Sequence, residues 1–246
     1  MVAKPKSDPR NRSGSVFYTK RENRLGFVNQ EYPQRELGPS LLTPTYIPFD
    51  FEPKASTLKM TASQITYDRE RLIELIKMDA LKFGDFTLAS GKKAKFYLDC
   101  RKLTLDGEGA NQIAAGMLEI IAANPPKLVG GMAIGADPIT GAVITCAWQQ
   151  KLPLKGFIVR KIAKDHGTGN MVEGPIQSGD TAVILEDVVT TGGSSVLAIE
   201  RAREAGLVID RAIAIVDRQQ GAAEKFAEVG VTLHTLLTIS DLGVSV

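Results

Sequence analysis

Residues 181–205, TAVILEDVVTTGGSSVLAIERAREA, constrain the chain more than any other stretch. They open with a short unbroken apolar run, 182–185, as a strand covered on both faces of a parallel sheet requires. Glu186 and Asp187 follow at once, then Val188 and Val189, then the small polar turn Thr190, Thr191, Gly192, Gly193 and Ser194. Beyond the turn the spacing becomes helical. Val196, Leu197 and Ile199 are apolar, Glu200, Arg201 and Arg203 are polar, and Gly206 stands where a helix C-cap glycine belongs.

A strand that turns through glycines into a helix leaves backbone N–H groups free at the helix N-terminus, where the dipole also favours an anion. Glycines let the backbone approach a phosphate, and Thr190, Thr191 and Ser194 add hydroxyl donors. Glu186 and Asp187 can accept hydrogen bonds from a sugar diol, so one site can hold a phosphate and a ribose together. No Gly-Lys-Ser/Thr follows the glycines and the G-x-G-x-x-G spacing is absent, which excludes a P-loop and a dinucleotide fingerprint.

The rest of the chain after residue 60 repeats the strand–helix alternation. Apolar runs predict strands near 128–134, 155–159, 181–186, 211–216 and 232–239. Helices are expected over 66–81, 111–123, 139–150, 195–205 and 222–229. Gly84 is expected just past the end of the first helix. This is an α/β pattern, a doubly wound parallel sheet flanked by helices with its sites at the carboxyl ends of strands. The turn Gly135-Ala136-Asp137-Pro138 gives a second helix N-terminus of the same kind. Residues 83–101 read as two short strands about Ser90-Gly91, with Lys92, Lys93 and Lys95 beside the turn and Phe96 and Tyr97 beyond it. Residues 160–174 are glycine-rich and carry Arg160, Lys161, Lys164 and His166 within seven positions, too long for a tight turn and suited to a lid. His234, the other histidine, alternates with apolar residues and reads as structural.

The run from Val183 to Ser194 resembles, without a break, the phosphoribosyl-pyrophosphate (PRPP) motif of the type I phosphoribosyltransferases. Three further segments are similar to orotate phosphoribosyltransferases: the Phe-x-Leu-x-Ser-Gly stretch with its lysines and aromatics, the loop Arg160-Lys161-x-x-Lys164-Asp165-His166-Gly167, and Arg218 after the strand 212–216. The resemblance covers about residues 66–240. It implies a type I phosphoribosyltransferase-like fold with a small N-terminal hood, and transfer of a phosphoribosyl group from PRPP to orotate. It also implies Mg²⁺ held mainly by PRPP rather than by a protein metal site, and a homodimer whose catalytic loop is shared between subunits.

In that family Arg160, Lys161, Lys164 and His166 would be catalytic, with His166 or Lys164 the proton donor to a departing oxygen. Residues Glu186, Asp187, Val188, Val189, Thr190, Thr191, Gly192, Gly193 and Ser194 would bind PRPP. Thr190, Arg218 and Tyr97 would bind orotate, and the Arg218 guanidinium fork suits a carboxylate. Two family lysines are missing, one replaced by Ala89 and one by Gly135. Lys92 or Lys93 is a candidate substitute for the first, and backbone amides must carry more of the binding at the second. The rival readings are a phosphoribosyltransferase for another base and a regulator that binds PRPP without catalysis. The kept Lys-Asp-His of the loop opposes the regulator, and Arg218 together with the 160–167 loop opposes another base.

Residues 1–59 hold seven of the 12 prolines and show no sustained period. They are expected to form an N-terminal extension, loosely docked or flexible, ahead of a domain over 60–246. Their seven aromatics keep a docked arm open, and Met60 is a candidate natural start. A formal net charge of +2 gives no argument for nucleic acid. No apolar run approaches the roughly 20 residues of a membrane span, and the N-terminus lacks an apolar signal region. Cys100 and Cys146 have no metal-ligand spacing and read as packing residues of a reducing compartment, the cytoplasm.

Overall fold

The order in which the strands pair decides where a ligand can sit. The structure, a computed structural model, describes residues 66–87, 93–162 and 170–245. The expected N-terminal extension, the turn carrying Ala89 and Lys92, and the loop tip carrying Lys164 and His166 lie outside the described residues. The chain runs α1 (Arg69–Leu75), a π turn (Ile76–Ala80), β1 (Leu81–Thr87), β2 (Lys93–Leu98), α2 (Arg101–Thr104), α3 (Gly107–Ala122), β3 (Leu128–Met132) and α4 (Ala136–Gln149). It continues through β4 (Lys155–Val159), β5 (Val172–Glu173), β6 (Thr181–Val189), α5 (Gly193–Glu204), β7 (Val208–Asp217), α6 (Ala222–Glu228), β8 (Thr232–Thr238) and a closing 3₁₀ turn (Ser240–Leu242).

The main sheet has the order β5-β4-β3-β6-β7-β8. All neighbours are parallel except β4 and β5. The five expected strands are these five parallel ones. From β3 the chain steps outward to β4, then returns past β3 to β6 and steps the other way through β7 and β8. The reversal lies between β3 and β6, and in an open sheet that is where the carboxyl ends of two strands leave a crevice.

Both faces of the sheet are dry. Val183 and Leu185 of β6, with Ile213 and Ile215 of β7, pack with Ile113, Met117 and Ile121 of α3 and Ile139 and Val143 of α4. Ala182, Ile184, Ala212 and Ala214 point to the other face, where Ala198, Ile199 and Ala202 of α5 and Phe226 of α6 meet them. Small residues on that face let α5 lie close to β6, which holds the turn preceding the helix tight against the strand end. Cys100 and Cys146 are both free and buried in the first of these cores, as packing residues should be.

The main departures from the sequence expectation lie toward the N-terminal end of the described residues. The first helix starts only after Asp68, whose carboxylate accepts the Arg71 N–H at 3.0 Å, and it widens into the π turn before β1 begins at Leu81. Gly84 therefore lies inside β1, at the irregularity between the pairs Phe83–Phe96 and Phe86–Ala94, and ends no helix. The helix expected from 111 begins at Gly107, because Asp106 caps the Gly109 N–H at 2.8 Å. Among the described residues no helix is long and apolar enough to cross a membrane.

Candidate active site

A cleft of about 560 Å³ opens at the crevice between β3 and β6. Its walls come from Ala133, Ile134 and Gly135 after β3, from Glu186, Asp187, Val188 and Ser194 at the end of β6 and the start of α5, from Lys161 after β4, and from Tyr97, Asp99 and Arg101 of the hood, the β1–β2 hairpin with the start of α2 that follows it. The Ala133–Ile134 peptide bond is cis.

The β6–α5 side is built for fixity. Glu186 is 6% exposed, and the Ser195 hydroxyl, 1% exposed, donates to its Oε2 at 2.7 Å. Burial, with the Asp187 carboxylate alongside, pushes Glu186 up to about 7. Asp187 is half-buried and its Oδ1 accepts the Val188 N–H at 2.8 Å. Gly192 takes φ +76°, the left-handed conformation that lets the strand turn straight into α5. The Val196 N–H closes the first helical turn on the Gly192 carbonyl at 2.9 Å, and no side chain caps the helix ahead of it. Thr191, Gly193 and Ser194 are exposed around those amides, and Thr190 is half-buried. The arrangement offers an anion site and a pair of carboxylates side by side. At the far end of α5 the expected C-cap is present, with Gly206 at φ +92° and the Leu207 and Gly206 N–H groups donating to Ala202 and Arg203.

Arg218 follows β7, next in the sheet. Its backbone N–H donates to the Val189 carbonyl at 2.9 Å, which ties it to the strand that carries the acids. Its guanidinium lies 4.7 Å over the ring of Phe96, the neighbour of Tyr97 in the hood. The Arg218 Nε is buried with no hydrogen-bond partner among the described residues, and burial lowers the arginine from its ordinary value. A desolvated guanidinium held on an aromatic face suits a planar anion such as a carboxylate.

The fourth side is an arm. β4 and β5 pair antiparallel through Ile158–Glu173 and Val159–Val172, and the Arg160 N–H donates to Met171 C=O at 2.9 Å. The segment expected as a lid thus stands on a short stalk. Of its cations, Lys161 faces the cleft, while the Arg160 Nε donates to Glu173 Oε1 at 3.1 Å and its carbonyl accepts from Arg201 of α5. Tyr97, Lys161, Glu186, Asp187, Val188 and Ser194 thus meet on one cleft, whereas Arg160, Val189, Thr190, Thr191, Gly192, Gly193 and Arg218 do not line it. Phe96 as the seat of Arg218, and Asp99 and Arg101 as wall residues, were not singled out from the sequence. The Asp-x-Arg pair directly after the hood strand was the available signal.

No protein-family profile matches the chain. It is 48% identical over 190 residues to the orotate phosphoribosyltransferase of Rhodopirellula baltica, covering 75% of this chain and 98% of that one. The crystal structure of Mycobacterium tuberculosis orotate phosphoribosyltransferase with Fe(III) dicitrate superposes with a TM-score of 0.65 at 34% identity, over 72% of this chain and 99% of that one. The same enzyme in complex with PRPP gives a TM-score of 0.62 at 30% identity, again over 72% and 99%.

Proposed function

The chain belongs to the orotate phosphoribosyltransferase family, and from that membership we propose how its residues carry the reaction. The enzyme transfers the phosphoribosyl group of PRPP to orotate, giving orotidine 5′-monophosphate and pyrophosphate, in de novo pyrimidine synthesis. A C1′–N bond to the base forms, the C1′–O bond breaks, and pyrophosphate leaves with the electron pair.

The N-terminus of α5 with Thr190, Thr191, Gly192, Gly193 and Ser194 holds the 5′-phosphate. Asp187 and Glu186 accept hydrogen bonds from the ribose hydroxyls and fix the sugar as C1′ gains positive charge. Arg218 takes the orotate carboxylate while Tyr97 and Thr190 bound the base. Arg160, Lys161, Lys164 and His166 stabilise the departing pyrophosphate, with His166 or Lys164 protonating a leaving oxygen.

Among the described residues no group of three His, Cys, Asp or Glu side chains could hold a metal. In this reading a Mg²⁺ ion would be held mainly by the oxygens of PRPP. When bound, that ion neutralises charge on the pyrophosphate. The working unit in this reading is a cytoplasmic homodimer in which the 160–174 loop of one subunit covers the PRPP site of the other.

The observation that carries the base assignment is the buried Arg218 Nε, without a partner among the described residues, on Phe96. Purified protein given PRPP and Mg²⁺ should consume orotate with release of pyrophosphate and should turn over uracil, which lacks the carboxylate, poorly. Equal turnover of the two bases would remove the role given to Arg218.

A further inference from the structure

The cleft must bind a ligand with several phosphate charges, yet two of the four described walls bring little positive charge to it. The loop after β3 offers none, since residues 133–138 read Ala-Ile-Gly-Ala-Asp-Pro. At Gly135 a side chain would start 3.0 Å from the Asp187 Oδ1, so this is a position from which a cation would reach into the cleft over the acid, and it is empty of one. The β6–α5 wall contributes two acids, Glu186 and Asp187, against helix amides. Among the described wall residues the cationic side chains are Lys161, on the arm, and Arg101, on α2.

Arg101 is held by Asp99. Its Nε donates to Asp99 Oδ1 at 2.7 Å and its Nη2 to Asp99 Oδ2 at 3.0 Å, and its backbone N–H also donates to Oδ1 at 3.3 Å. One edge of the guanidinium is clamped in a fork, which leaves the edge carrying Nη1 for another acceptor. The clamp itself is fixed. The Asp99 N–H donates to the Ala80 carbonyl at 3.0 Å, and Cys100, Leu103 and Thr104 on either side of Arg101 are buried. The Arg101 side chain nevertheless remains 54% solvent-accessible, while that of Asp99 is 20% accessible. A half-open guanidinium oriented by two hydrogen bonds to one carboxylate, on the wall that carries both Asp99 and Tyr97, is suited to receive an oxyanion.

We propose that Arg101 is a substrate-binding residue of this enzyme, its free guanidinium edge taking an oxygen of the pyrophosphate group of PRPP, with Asp99 as the positioning residue that aims it. The assignment rests on the transferase reading above and deepens it: the hood supplies a cation that the Gly135 loop lacks. Arginine suits the place better than lysine, because only a fork can be clamped on one edge and bind on the other. Asp99 does not cancel the function, since a bidentate partner fixes orientation and the charge on PRPP is several times larger than that of one carboxylate.

The test is a kinetic and binding comparison of wild type with Arg101→Ala, Arg101→Lys and Asp99→Asn. The probes are PRPP, orotate and inorganic pyrophosphate, with melting temperatures taken alongside. For Arg101→Ala the KM for PRPP and the inhibition constant for pyrophosphate should both rise roughly tenfold to a hundredfold, the range of one charged hydrogen bond, with the orotate KM within about twofold. Arg101→Lys should recover part of the loss, and Asp99→Asn should give a smaller shift of the same sign in the same two constants. Unchanged PRPP and pyrophosphate constants in Arg101→Ala would overturn the proposal. So would a loss spread equally over PRPP and orotate together with a lowered melting temperature, which marks a purely structural ion pair. If wild type binds pyrophosphate through Arg101 but does not consume orotate, the site stands and the reaction assigned above falls.

Discussion

Two sides of one cleft are built on opposite principles. On the strand-end side, Glu186 is 6% exposed and its partner Ser195 1%, with 2.7 Å between them. On the arm, Arg160 and Glu173 pair at 3.1 Å with side chains 38% and 34% exposed, and Ile162 beside them is 79% exposed. The first side holds its polar groups in place before any ligand comes. The second holds its cations by contacts that water and salt weaken. The division matches the roles proposed above for the two sides. Groups that position the ribose and the 5′-phosphate gain by being fixed, because no reorganisation is then needed as charge develops. Cations that meet a leaving pyrophosphate must arrive with it and let it go, so weak and exchangeable contacts suit them.

The largest expected effect comes from damaging each side in a different subunit. Asp187→Ala removes an acid of the strand-end side and Lys164→Ala a cation of the loop, and each homodimer should be nearly inactive while folded. If the loop covers the partner's site, mixing the two gives heterodimers with one intact site. Random reassortment makes about half the dimers mixed, so activity should return to about a quarter of wild type. Failure to recover, with exchange confirmed by native mass spectrometry, would place both sides of each cleft in one chain.

Next in size is Arg218→Ala. It strips a desolvated charge from its ligand and should lower kcat/KM for orotate by roughly 2–5 kcal/mol, about thirtyfold to several thousandfold. PRPP binding, measured separately by calorimetry, should move little, because Arg218 lies across the Val189 carbonyl from the phosphate turn. A matching loss of PRPP affinity would mean that the two sides are not separable.

The fixed side should also show a stability cost. Glu186 is held up to about 7, above an ordinary glutamate, chiefly by burial. The folded state therefore binds this proton more tightly than the unfolded chain. Its favourable contribution is complete below the ordinary carboxylate range and is lost as pH rises through about 7. Glu186→Gln keeps an acceptor for Ser195 and removes the charge. The variant should melt above wild type at about pH 8, by roughly 1–3 kcal/mol, with the gap closing toward about pH 5, while PRPP turnover falls. A gap independent of pH would show that the carboxylate is not the source.

How legible these two sides were in the sequence follows from the same contrast. The β6–turn–α5 unit could be read nearly residue by residue, because its acids, turn and helix are contiguous and the neighbouring strands are unbroken apolar runs. The pairing of Arg218 with Phe96 could not, since it joins the end of β7 to the hood across the fold. The stalk was also hidden: β5 is the two residues Val172–Glu173, too short for any alternation to register. The π turn at Ile76–Ala80 eluded the pattern as well, because apolar spacing does not separate a widened last turn from an α-helical one. Among the cations of the loop, the residue types were visible, but nothing in the spacing says that Arg160 reaches Glu173 while Lys161 faces the cleft.

The smallest effect is expected where the arm is held. Arg160 binds Glu173 through its Nε alone, and turning the guanidinium toward pyrophosphate breaks that single contact. Both side chains are more than a third exposed, so the pair is worth no more than about 1 kcal/mol, and breaking it should barely move the melting temperature. That same energy is spent when Arg160 turns to the ligand. Glu173→Gln should therefore lower the KM for PRPP by up to about fivefold while leaving kcat and the orotate KM near wild type. The gain should shrink as salt is raised, because screening weakens the wild-type pair by the same route. The Glu186–Ser195 contact, being dry, should show no comparable salt dependence in Ser195→Ala. If Glu173→Gln instead lowers stability by several kcal/mol, or its effect ignores salt, the arm is a fixed element like the strand end, and the division between the two sides fails.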